Sequence, residues 1–195
     1  MQKKLGKDEK IEMRALEIMR GINLPYHNIE HVIKVYESAR NLCKNEGISE
    51  ADTRLVLIAV LFHDTGFLVR PDGGNHEAAS AHIANTSMDS LRYMDTEIIQ
   101  VKKLIMATKF PHNPKTLLEK IVCDADLAIV GSDGFWEQNE NLRKERGIEN
   151  IHEWIEQQLK FMEEHTYFTK SADNVFGEKK RKHVFEMRLK LQKGG

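Results

Sequence analysis

Apolar positions along this chain recur mostly at intervals of three and four, the spacing that lines one face of an α-helix, and almost nowhere alternate as a half-buried strand requires. With four prolines and no Asn-Gly hairpin signal, the pattern predicts helix after helix and an all-α fold. Ile11, Ala15, Leu16, Ile18 and Met19 form a loose stripe over a first helix at 8–20, ahead of Gly21. Asn23 is placed to cap a second helix with Pro25 in its first turn, and Ile29, Val32, Ile33, Tyr36, Ala39 and Cys43 define its core face up to Gly47. Advancing by about 100° per residue puts His31 at the border of that stripe, beside Val35 and Leu42, and His27 just outside it.

The most informative stretch is the run Leu55-Val56-Leu57-Ile58-Ala59-Val60-Leu61-Phe62, which leads directly into His63-Asp64. Ser49 with Asp52 reads as a capping box, so the run is predicted as a buried helix ending near Asp64 or Gly66. Arg70-Pro71-Asp72-Gly73-Gly74 is the clearest loop. Asn75 is expected to cap a helix to about Met88, and Asp95 another to about Lys109. After Phe110-Pro111-His112-Asn113-Pro114 a helix is predicted over 115–130, then further helices near 134–146, 150–164 and 175–192.

Length and charge narrow the function classes. A chain of 195 residues fits one domain spanning 1–195, with a core at about 23–131 and C-terminal helices at about 134–192. Its 29 basic and 30 acidic residues leave a net charge of -1, no field for gripping a nucleic-acid backbone or an anionic membrane. Lys179-Lys180-Arg181-Lys182-His183 accordingly reads as a solvated helix face, and His82, His152 and His183 as surface residues. Cys43 and Cys123 form no disulfide or zinc pattern, and the charged N-terminus lacks a signal-peptide core, so a cytoplasmic location is expected.

Polar groups stranded in apolar helices carry the chemistry. Burying an imidazole beside a carboxylate is costly unless something binds both, and a metal ion does so. His31, His63, Asp64 and one of Asp124 or Asp126 form such a set, suited to a first-row divalent ion with positions open for water and substrate.

In this order the set resembles the HD-domain metal-dependent phosphohydrolases, all-helical proteins with the signature H…HD…D. Tyr26-His27-Asn28-Ile29-Glu30-His31 resembles the opening motif of stand-alone HD proteins and cyclic-nucleotide phosphodiesterases; Leu61-Phe62-His63-Asp64-Thr65-Gly66 resembles the central pair, and Asp124-Ala125-Asp126-Leu127 the closing motif. The resemblance implies His31, His63, Asp64 and Asp126 as ligands of Mn, Mg, Fe, Co, Ni or Zn, with Asp124 behind them. It implies attack of metal-bound hydroxide on a phosphoester of a nucleotide or other small phosphorylated metabolite, with Asp64 or Asp126 accepting a proton and His27 protonating the leaving group. Asn28, in the same motif, is expected beside the ligands or the substrate, as are His76 and Glu77. Two-metal relatives place a further histidine near 108, where this chain has Thr108, which favours one ion over two. Arg70, Lys109 and His112, flanking helix ends near the same loops, are expected to contact phosphate. A di-iron oxygenase and a non-catalytic metal- or nucleotide-binding module are the alternatives.

Overall fold

The computed structural model describes residues 5–193, which form nine α-helices and two short 3-10 helices with no strand among them. The α-helices are α1 (Lys7–Arg20), α2 (Ile29–Asn45), α3 (Glu50–Phe62), α4 (His76–Ser90), α5 (Asp95–Ala107), α6 (Leu117–Asp126), α7 (Phe135–Glu145), α8 (Ile151–Glu164) and α9 (Lys170–Gln192). No described helix is long and apolar enough to cross a membrane.

Helix α3 is the hub. It is apolar on nearly every face, with Val56, Ile58, Ala59, Val60 and Phe62 at most 1% exposed, and it packs on α1, α2, α5 and α6. Each large side chain so buried contributes roughly 1.5–3 kcal/mol, enough to fix the helix whose end carries His63 and Asp64. The Ser49 hydroxyl accepts the Asp52 N–H at 3.1 Å and starts the helix where the capping signal placed it. Gly66 follows, and the path is crowded: a Cβ there would collide with the His76 carbonyl, so only glycine lets the chain pass the start of α4.

Several boundaries differ from the sequence reading. Asn28, not Asn23, caps α2: its Oδ1 accepts the N–H groups of Glu30 and His31 at 2.9 and 3.2 Å, while its Nδ2 donates to the Leu24 and Pro25 carbonyls. His27 therefore precedes α2 rather than lying on it. The buried face of α2 comprises His31, Val32, Val35, Ala39, Leu42 and Cys43, whereas Ile33 is 44% exposed, so His31 is inside the face instead of on its border. Helix α5 begins at Asp95 after Met94, whose N–H bonds Glu97 at 2.9 Å. The helix expected over 115–130 is α6, capped by Thr116, followed by a 3-10 turn at Leu127–Gly131.

A second apolar cluster joins Val130, Phe135, Ile155, Met162 and Met187 from the 3-10 turn, α7, α8 and α9. His183 belongs here, not on the surface: it is 6% exposed, bonds the Val130 carbonyl through Nδ1 at 2.9 Å and stacks on Phe135. His82 and His152 are exposed as expected. Asp124, fully buried on α6, fastens the start of α9 by accepting the N–H groups of Phe168 and Thr169 and the Thr169 hydroxyl at 2.7–2.8 Å.

Candidate metal centre

Three helix ends converge on one point. The first turn of α2 supplies His31, the end of α3 supplies His63 and Asp64, and the last residue of α6 is Asp126. His63 Nε2 lies 3.1 Å from Asp64 Oδ2 and 3.3 Å from Asp126 Oδ1; His31 Nε2 lies 3.4 and 3.3 Å from the same two oxygens. Ligand atoms held about 2.0–2.2 Å from a common ion are themselves about 3 to 3.5 Å apart, so these spacings suit a shared cation.

The hydrogen bonding points the same way. His63 Nδ1 donates to the Val60 carbonyl at 2.7 Å, which fixes the ring with Nε2 turned toward Asp64 and Asp126. That Nε2, the Nε2 of His31 and Oδ2 of Asp64 are buried without a hydrogen-bond partner. Orphaned atoms of this kind cost stability unless a ligand meets them, and His31, His63 and Asp64 could together hold a metal ion. Burial alone would raise the Asp64 and Asp126 carboxyls, but the imidazoles, His63 foremost, outweigh it and hold both below the ordinary carboxylate range. Conversely burial would lower His63, and the two carboxylates hold it well above its usual value. The carboxylates are therefore ionised, the form in which they could bind a cation.

A family model for the HD domain matches residues 28–128, just over half of the 195-residue chain and inclusive of all four of these side chains. The chain belongs to the HD domain family. A crystal structure of a predicted HD superfamily hydrolase from an uncultured Thermotogales bacterium shares the fold, at a TM-score of 0.65 and 20% identity over 95% of this chain and 91% of that one. No curated protein matches the chain. In this HD domain α7–α9 lie beyond the matched segment.

A cleft of about 830 Å³ opens over Asp64 and Asp126, walled by Tyr26 and His27, the Pro71–Gly73 loop, the Thr108–His112 segment, and α7 and α8. His27 is fixed from three sides. Its Nδ1 makes a short bond to Glu145 Oε1, while Glu145 Oε2 accepts the backbone N–H groups of Tyr26 and His27 at 2.8 and 3.0 Å. Phe67 stacks on it at 4.2 Å and also on His76 at 4.2 Å, the two imidazole centroids being 6.2 Å apart. Burial lowers the His27 proton affinity, but Asp64 and Glu145 more than offset this and raise its pKa.

His76 bonds the Gly73 carbonyl through Nδ1 at 3.0 Å, and its Nε2 lies 3.7 Å from Asp64 Oδ1 and 3.8 Å from Glu77. His112 lines the cleft and bonds the Thr108 carbonyl, while the Thr108 hydroxyl is spent on Ile105.

Four expected site residues do other work. Asn28 spends its amide on backbone groups, Asp124 binds Phe168 and Thr169, and Arg70 and Lys109 are exposed outside the cleft wall, Lys109 reaching Asn75. The cleft also contains residues that the sequence reading missed. Glu145 stands 118 positions from His27 in a helix rich in charge, where no local signal separates it from a solvated glutamate. Phe67 did carry a signal, an aromatic directly after the Thr65-Gly66 turn.

Proposed function

We propose that this HD domain is a metal-dependent phosphohydrolase cleaving a phosphoester in a nucleotide or another small phosphorylated metabolite. The observation that carries the reading is the meeting of two buried, unpartnered imidazole nitrogens with two ionised carboxylates at the floor of a cleft. A divalent first-row ion held by His31, His63, Asp64 and Asp126 supplies activation of water near neutral pH and charge neutralisation on a phosphoryl oxygen.

The remaining roles belong to the chain. With Nδ1 committed to Glu145, His27 keeps Nε2 for the cleft, and its raised pKa keeps a proton there near neutrality to donate to the departing oxygen. Phe67 restrains the His27 and His76 rings by stacking on both. His76 and Glu77 border Asp64 on the side where substrate or water enters.

The test is a metal-supplemented assay over p-nitrophenyl phosphate, nucleotides and sugar phosphates, with His27→Ala alongside. Turnover by the parent, a loss of about 10²–10⁴-fold in the variant and unchanged metal content are expected. A metal-loaded parent inert across the panel overturns the reading.

A further inference from the structure

Helices α7 and α8, which lie outside the segment matched by the family model, build one wall of the cleft, and the chemistry of the lining is specific. Among the described residues the cleft presents five carboxylates, Asp64, Asp72, Glu77, Asp126 and Glu145, against one guanidinium, Arg146, no lysine, and three imidazoles, His27, His76 and His112, each with one ring nitrogen already bonded within the protein. Such a lining cannot compensate a chain of phosphates, each of which normally demands its own cation or charged donor. One phosphoryl group at the metal ligands is the load that it fits.

The α7–α8 wall suits a planar, polar-edged ring. Asn139 and Gln158 bring primary amides to it, Gln157 brings a third whose Nε2 already donates to Glu153, and Phe161 brings a partly exposed phenyl ring. Asn139 is 8% exposed, and its buried Oδ1 has no hydrogen-bond partner. An unsatisfied amide beside aromatic and aliphatic surface is what a heterocyclic base satisfies, through its edge on the amide and its face on the apolar wall. A bare sugar phosphate offers no such face. Arg146 sits 5.8 Å from the Trp154 ring at the end of α7, a cation held at the wall rather than among the metal ligands.

We infer that α7 and α8 form a leaving-group pocket for a nucleoside, so that the substrate is a nucleoside monophosphate and neither a nucleoside polyphosphate nor a sugar phosphate. This rests on the phosphohydrolase reading for its chemistry but not for its binding. Asn139 and Gln158 select the base, and the motif residues only hold the phosphoryl group.

Two measurements on the full chain test it. The first compares kcat/KM of the metal-loaded protein for the four nucleoside 5′-monophosphates, their triphosphates and ribose 5-phosphate. The second follows calorimetric binding of the four nucleosides, which needs no turnover, in the parent, Asn139→Ala and Gln158→Ala. Expected are a preference of about tenfold or more for a monophosphate over its triphosphate and over ribose 5-phosphate, and nucleoside binding weakened about tenfold in Asn139→Ala, the scale of one lost hydrogen bond in a closed pocket. Gln158→Ala, on a partly exposed side chain, carries the comparison should circular dichroism show Asn139→Ala unfolded. Equal or faster turnover of triphosphates or ribose 5-phosphate overturns the pocket and leaves the hydrolase reading standing. Nucleoside binding that depends on these amides without phosphoester turnover overturns the hydrolase reading and leaves the pocket standing. Absence of both overturns both.

Discussion

Glu145 grips His27 by side chain and backbone at once: one carboxylate oxygen takes the ring Nδ1, and the other takes the N–H groups of Tyr26 and His27. Burial would raise the Glu145 carboxyl, but the His27 ring and the two N–H donors hold it below the usual range, so it is an anion throughout neutral pH. Glu145→Gln keeps the shape and removes the charge. It is expected to lower kcat by about 10–100-fold with little change in KM or metal content, checked by steady-state kinetics and elemental analysis. A fall in KM and kcat together with lost metal would instead mark Glu145 as a purely structural prop.

Phe67 stacks on two imidazoles, His27 and His76, each with its ring centroid 4.2 Å away. Phe67→Ala removes a 5%-exposed ring and is expected to cost about 3–5 kcal/mol in denaturant unfolding, with activity falling below that of Phe67→Leu at equal folded fraction. Equal activities in the two variants would show that the stacking does not position the histidines.

Asp124 and Asp126 are two residues apart and predicted to fail differently. Asp124→Asn leaves three donors from Phe168 and Thr169 facing a neutral amide and should cost about 2–3 kcal/mol of stability while metal content is retained. Asp126→Asn should reverse the pattern, losing metal affinity with stability of the metal-free protein little changed or improved. Thermal melts with and without chelator distinguish the two.

How much of this was legible in the chain depends on range. The Leu55–Phe62 run and the Ser49 cap placed α3, and with it His63 and Asp64, because burial and capping are local consequences of residue type. Two asparagines preceded α2, and nothing local showed that only Asn28 could close on the Leu24 and Pro25 carbonyls; the helix start and the phase of its buried face moved accordingly. His183 was placed at the surface on the charge of its neighbours, yet Val130 and Phe135, about fifty positions away, bury it. Glu145 and Asn139 acquire meaning only when α7 folds over the cleft, a contact no periodicity encodes.

His165 gives a pH signature away from the metal. Burial, with the charges of Lys180 and His112 adding to it, lowers its pKa from 6.5 to about 4, and neither ring nitrogen has a partner. The folded state thus prefers the neutral ring: its contribution is complete above the unfolded pKa and is lost as pH falls from about 6.5 toward 4, the unfolded chain taking up the proton first. With the ring partly exposed, the effect is on the order of 1–2 kcal/mol. His165→Phe should therefore lose less Tm than the parent between about pH 7 and 5; parallel pH profiles would contradict this.

The central claim is that four side chains from three helices share one cation, and anomalous diffraction from crystals grown with Mn²⁺ or Zn²⁺ tests it most directly. One strong peak within about 2.0–2.3 Å of His31 Nε2, His63 Nε2 and carboxylate oxygens of Asp64 and Asp126 is the predicted result. A peak bound elsewhere, or none among these four residues at saturating metal, contradicts it.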